Sequence, residues 1–154
     1  MNSDFKELLQ TFNAFEVEYL VIRGYAVIRY TQPRYTKDLD LWIGPSAENA
    51  ERVIKAFNAF GIGLFGGIEK NDFAHTGLMF SVGVPPVSID FLTSVPPLDF
   101  VVCWKRRNTV GNDHGFSIHY LSKADLILAK QTAGRLQDLA DIEELNLAKE
   151  NPSE

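Results

Sequence analysis

The stretch "TKDLDLWI", residues 36–43, sets two aspartates on either side of one leucine inside an apolar run. On a strand, residues i and i+2 share a face. Asp38 and Asp40 therefore point one way, and Leu39, Leu41 and Ile43 the other. Two unit charges about 4 Å apart repel by about 4 kcal/mol at an effective dielectric near 20. A sheet tolerates that with a wet face, a shared proton or a cation, and the pair alone does not choose among these. A second segment, "VSIDFL" (87–92), carries Asp90 on the face opposite Val87, Ile89 and Phe91. A single carboxylate in so apolar a strand needs a partner or water. If the two strands are neighbours, three carboxylates converge. Oxygen-only ligands of this kind suit Mg²⁺, which takes one or two protein carboxylates together with substrate phosphates.

Outward from this point the chain reads as an α/β domain. In residues 3–15, Phe5, Leu8, Leu9, Phe12 and Phe15 fall at helical spacing, with Ser3 as the expected N-cap. "VEYLVI" (17–22) is rich in β-branched and aromatic residues and predicts a strand. A short helix is expected over 24–30, a Pro-containing loop over 31–37, and a strand over 38–43. Ser46 is placed to cap a helix carrying Val53, Phe57 and Phe60. The segment "FNAF" occurs at 12–15 and again at 57–60, two helices with one apolar face pattern. Strands are expected at 77–83 and 86–92, joined by a tight Pro-containing turn, and at 115–120, with a helical segment within 97–107. Ser122 and Asp125 form a capping-box pattern opening another helix, which Gly134 can end. A last helix is expected from about 135 to 149 with Leu139, Ile142 and Leu145 inward. Strands alternate with helices early and helices dominate late, which predicts an α/β sheet with a helical C-terminal end.

Bulk properties narrow the function classes. The 154 residues suit one domain over 1–150, with 151–154 as a loose tail. A net charge of −5 argues against a long nucleic-acid footprint. The one cysteine, Cys103, has no disulfide partner and suits a reducing, cytoplasmic setting. The N-terminus lacks a signal-peptide pattern, and no apolar run approaches the roughly 20 residues of a membrane span, so no membrane partner is expected.

The ordered set "LVIRGYAVIRY", "PRYTKDLDLWI" and "VSIDFLT", followed by "LSKADLILAKQTAGRLQDLADIEEL", resembles the nucleotidyltransferase superfamily related to DNA polymerase β. It is most similar to the minimal bacterial nucleotidyltransferase-like proteins, which include toxin–antitoxin and abortive-infection members. The resemblance implies a nucleotidyltransferase-type mixed sheet flanked by helices. It implies that Asp38 and Asp40 bind two Mg²⁺ ions (Mn²⁺ being an alternative) and that Asp90 binds one and helps activate an acceptor hydroxyl. Gly24 would let backbone amides approach the nucleotide phosphates. Arg34 would help neutralise phosphate, with Thr36 supporting the loop. The implied reaction moves a nucleoside monophosphate from an NTP to a hydroxyl of RNA, protein or a small molecule. Two alternatives go with it: a catalytically impaired binding protein paired with a cognate toxin or antitoxin, and an antibiotic-modifying nucleotidyltransferase. The family carries a glycine pair, or Gly-Ser, after the first strand, and here Arg23 stands first in that pair. Its side chain either crowds the phosphates or binds them.

Other motifs carry less. "GIGLFG" (61–66) matches GxGxxG but follows a helix rather than a strand, and reads as a helix C-cap and loop. "WKRR" (104–107) is a compact basic cluster, either a solvated helix end or a phosphate contact. His75, His114 and His119 have no metal-ligand spacing.

Overall fold

The computed structural model describes residues 1–84, 87–111 and 115–148. The turn expected at 85–86, His114 and the tail at 151–154 lie outside the described residues.

The two aspartate-bearing segments are neighbours. β1 (Tyr19–Ile22) and β2 (Leu39–Ile43) pair antiparallel with Ile22 opposite Asp40. β4 (Val87–Leu92) runs parallel to β2 with Asp90 opposite Asp40. β3 (Met79–Val84) pairs with β4, β6 (Ser117–Tyr120) runs parallel to β1, and β5 (Asn108–Gly111) pairs with β6. The result is a mixed six-stranded sheet of order β3-β4-β2-β1-β6-β5. Every residue of β1 and β2 is buried, which explains the unbroken apolar run of β1 and leaves Asp40 as the buried acid of β2.

Strand alternation sorts the side chains into two cores. Tyr19, Val21, Leu39, Leu41, Ile89 and Phe91 face α1 (Ser3–Ala14) and α3 (Ala47–Phe60). There the twin "FNAF" segments meet: the Phe12 and Phe57 rings lie 6.1 Å apart, and Phe57 lies 4.9 Å from Phe91. Each such ring contributes about 1.5–3 kcal/mol by burial. On the other face, Leu20, Ile22, Trp42 and Leu92 pack against α4 (Phe100–Lys105), α5 (Lys123–Ala133) and α6 (Leu136–Leu147). Trp42 meets Phe100 edge-on at 5.2 Å. By alternation Asp40 and Asp90 belong to this second face. α2 (Arg23–Tyr30) follows β1 without a loop.

Several expectations need correction. Asn2, not Ser3, caps α1, accepting a hydrogen bond from the Phe5 amide at 2.9 Å. Ser46 and Ser122 cap α3 and α5 as expected, and Gly134 ends α5 in the left-handed conformation. β5 and a 3₁₀ turn at Lys70–Ala74 were not legible as elements, being short and polar. In α6, Leu139 is 52% exposed, while Asp138, Asp141 and Leu145 face inward. The helix turns these acids inward beside Leu145 because Lys130, Arg34 and Arg135 pair with them there.

Candidate active site

The turn from β1 into α2 sets the site. Ile22 pairs with Asp40, so the next residue, Arg23, starts the helix beside that carboxylate. Arg23 has φ +59°, a left-handed conformation that glycine adopts freely and that costs other residues about 1–2 kcal/mol. Its Nη1 lies 3.4 Å from Asp40 Oδ1. The guanidinium is half exposed and the Asp40 side chain only 9% so.

Asp40 and Asp90 are directly opposed on parallel strands, so their carboxyl groups are neighbours on one face of the sheet. Burial pushes the Asp40 carboxyl up to about 7; Arg23 opposes the rise, while Asp90 and Asp38 add to it. Asp38 precedes β2, where its Oδ1 accepts the Ser88 amide at 3.2 Å. The close meeting is thus of two carboxylates, with the third tethered at the strand entrance. Among the described residues, no three acidic, histidine or cysteine side chains are gathered closely enough to hold a metal ion as they stand. The donor chemistry nonetheless fits Mg²⁺, which needs only one or two protein carboxylates when phosphates complete its shell.

The remaining site candidates occupy the loop before β2 and the α5–α6 pair. A Cβ on Gly24 would lie 2.7 Å from Thr36 Cγ2, so the close approach that this glycine permits is that of the threonine side chain. Thr36 in turn accepts the Tyr25 hydroxyl on its carbonyl at 3.3 Å. Arg34 does not point at the aspartates. It forks onto Asp141, at 2.7 Å and 3.3 Å, and this bond ties the loop to α6. Lys130, buried on α5, sits 3.1 Å from Asp141 and 3.5 Å from Asp138, and Arg135 holds Asp138 at 2.7 Å. Burial alone raises the Asp141 carboxyl, but hydrogen bonds from Arg34, Gln137 and Lys130 outweigh it and bring it down to about 2.

These groups border a cavity of about 290 Å³. Arg23, Arg34, Lys130 and Arg135 supply positive charge, and Val95, Pro96, Leu121, Leu126 and Ala129 supply an apolar wall. The wall residues 95 and 96 escaped the sequence reading because nothing in a short Pro-containing loop announces its place in space. The inward spacing of Asp138, Asp141 and Leu145, at i, i+3 and i+7, was the available signal for the ion network.

The basic cluster "WKRR" is largely spent on structure. Arg106 forks onto Asp125 at 2.8 Å and 3.2 Å, and the Arg107 guanidinium stacks on the Trp104 ring at 3.9 Å.

No family model and no curated protein matches the sequence. Among solved structures, the lincosamide antibiotic adenylyltransferase LnuA, in its lincomycin-bound form, superposes with a TM-score of 0.61. The match covers 97% of this chain and 98% of that one at 16% sequence identity. The chain has a nucleotidyltransferase-type fold. No helix among the described residues is long and apolar enough to cross a membrane.

Proposed function

We propose that this protein transfers a nucleoside monophosphate from an NTP to a hydroxyl group, with Asp38, Asp40 and Asp90 as the acidic centre. The observation that carries the reading is the in-register pairing of Asp40 with Asp90, joined through Arg23 to a cavity that Arg34, Lys130 and Arg135 line together with Asp138 and Asp141. Two facing carboxylates, one of them buried, are destabilising in their charged forms without a positive ion near them, and Arg23 joins them to the cavity. The likeness to an antibiotic adenylyltransferase over nearly the whole length of both chains supports a small-molecule acceptor over RNA or protein.

On this reading the acceptor oxygen attacks the α-phosphorus in line, the bond to the pyrophosphate leaving group breaks, and the hydroxyl proton passes to Asp90. Mg²⁺ held by Asp38, Asp40 and Asp90 would supply charge neutralisation for the triphosphate and activation of the hydroxyl. The amides at the start of α2 and the Arg23 guanidinium favour anionic oxygens. Arg34 and Lys130 act from their ion network, holding α5, α6 and the 31–38 loop as the cavity wall.

The test is titration of the purified protein with NTPs, with and without Mg²⁺, repeated with Asp40→Asn. Metal-dependent NTP binding that the variant loses supports the enzyme. A wild type that binds no NTP under any metal condition would instead favour a fold kept for binding a partner protein, with Arg23 as the residue that closed the site.

A further inference from the structure

We infer that Arg23 is an exchangeable counter-ion, which neutralises Asp40 in the nucleotide-free protein and moves onto the triphosphate when nucleotide and divalent cation bind together. The inference rests on the nucleotidyl-transfer reading and adds to it an order of events and a residue that enforces it.

The geometry is that of a contact made to be broken. Arg23 touches Asp40 through one nitrogen at 3.4 Å, whereas Arg34 grips Asp141 through two, the nearer at 2.7 Å. Strong charge-assisted bonds run about 2.7–2.9 Å. A half-exposed, one-point ion pair contributes little stability and is released at little cost. In its charged form Asp40 is poorly tolerated without a cation, because it is buried beside Asp90. A divalent ion with oxygen ligands can take the place of Arg23 and keep that charge compensated.

The same residue borders the cavity where the triphosphate would lie. The other cations of that wall are held by carboxylates: Arg34 by Asp141, Lys130 by both acids and Arg135 by Asp138. Arg23 alone among these four is paired with an aspartate of the proposed metal centre. Its backbone is fixed at the strand end by the left-handed turn, so the exchange requires only side-chain rotation. A divalent ion arriving without nucleotide must displace the guanidinium into solvent. One arriving with nucleotide leaves the guanidinium a phosphate to pair with. Metal and nucleotide should therefore bind cooperatively.

The experiment measures Mn²⁺ binding by electron paramagnetic resonance, on the full chain, with and without a non-hydrolysable α,β-methylene NTP analogue. Wild type is compared with Arg23→Gly, which suits the left-handed backbone, and Arg23→Gln, which keeps the bulk and removes the charge. Without nucleotide, both variants should bind Mn²⁺ about tenfold more tightly than wild type, the scale of coupling between ligands that compete for one group. The enhancement of Mn²⁺ binding by the analogue should shrink in both. Equal nucleotide-free Mn²⁺ affinities, with analogue binding intact, overturn the exchange. A gain in Arg23→Gly alone also overturns it, since relief of backbone strain would then be the cause. Absence of analogue binding by wild type under any metal condition overturns the underlying nucleotidyl-transfer reading, and the exchange with it.

Discussion

Asp40 on β2 and Asp90 on β4 stand directly opposite each other, in register, across adjacent parallel strands. Their substitution should affect chemistry more than folding. Asp40→Asn and Asp90→Asn should each lower the rate of nucleotidyl transfer by at least about 100-fold, the usual scale for deleting one group that stabilises transition-state charge. Release of labelled pyrophosphate, measured beside a circular-dichroism check of the fold, decides it.

The same pair should make the wild type less stable than it could be. The folded-state value for Asp40, about 7, lies above the ordinary 3.8. Its charge therefore carries no penalty below pH 4, and a growing one as pH rises through 7. Asp40→Asn should match wild type near pH 4 and exceed it by about 1–3 kcal/mol at pH 8. Urea denaturation at the two pH values measures this, and a variant less stable at pH 8 would contradict it.

Gly24 and Thr36 give a packing test. Gly24→Ala places a methyl 2.7 Å from Thr36 Cγ2 and should destabilise by about 1–3 kcal/mol. Thr36→Ser removes that methyl. If crowding is the cause, the double variant should recover most of the loss, as a double-mutant cycle of thermal unfolding will show.

Asp141 carries the join between the 31–38 loop and the closing helices. Asp141→Asn leaves Arg34 and buried Lys130 short of a countercharge and should destabilise by about 3 kcal/mol. Its carboxyl titrates near 2, below the ordinary 3.8. The stability it adds is thus present above about pH 4 and lost as pH falls through 2. Acid denaturation of wild type should show this loss, and the variant should not.

His119 supplies a third pH window. Burial, aided by Arg107, lowers its imidazole to about 4 from the ordinary 6.5. The unfolded chain then takes up a proton that the folded one refuses, so stability should fall as pH drops from 6.5 to 4. His119→Gln should flatten that part of the stability–pH curve, and NMR titration of the ring should place its midpoint well below 6.

The sequence by itself determined the pieces whose signals are local. The strand over 39–43, the paired "FNAF" helical faces, the Ser46 and Ser122 caps and the Gly134 stop depend on neighbours within a few residues, and they appear in place. The mixed sheet with a helical C-terminal end followed from their order. Strand alternation also set Asp38 and Asp40 on the face opposite Leu39, Leu41 and Ile43, and Asp90 on the face opposite Val87, Ile89 and Phe91. Only the tertiary structure decided that the two strands are adjacent and in register, that Asp38 turns to the Ser88 amide, and that Arg23 reaches Asp40. It also corrected the reading of α6 at one position. Leu145 is buried as periodicity assigns, but Leu139 is exposed, and Arg34 and Lys130 arrive from other segments to pair with the buried Asp141. The spacing of the acids along α6 is a local trace, but the distant segments that supply their partners leave none. Their energy depends on distance and burial, which are fixed only when the chain has folded.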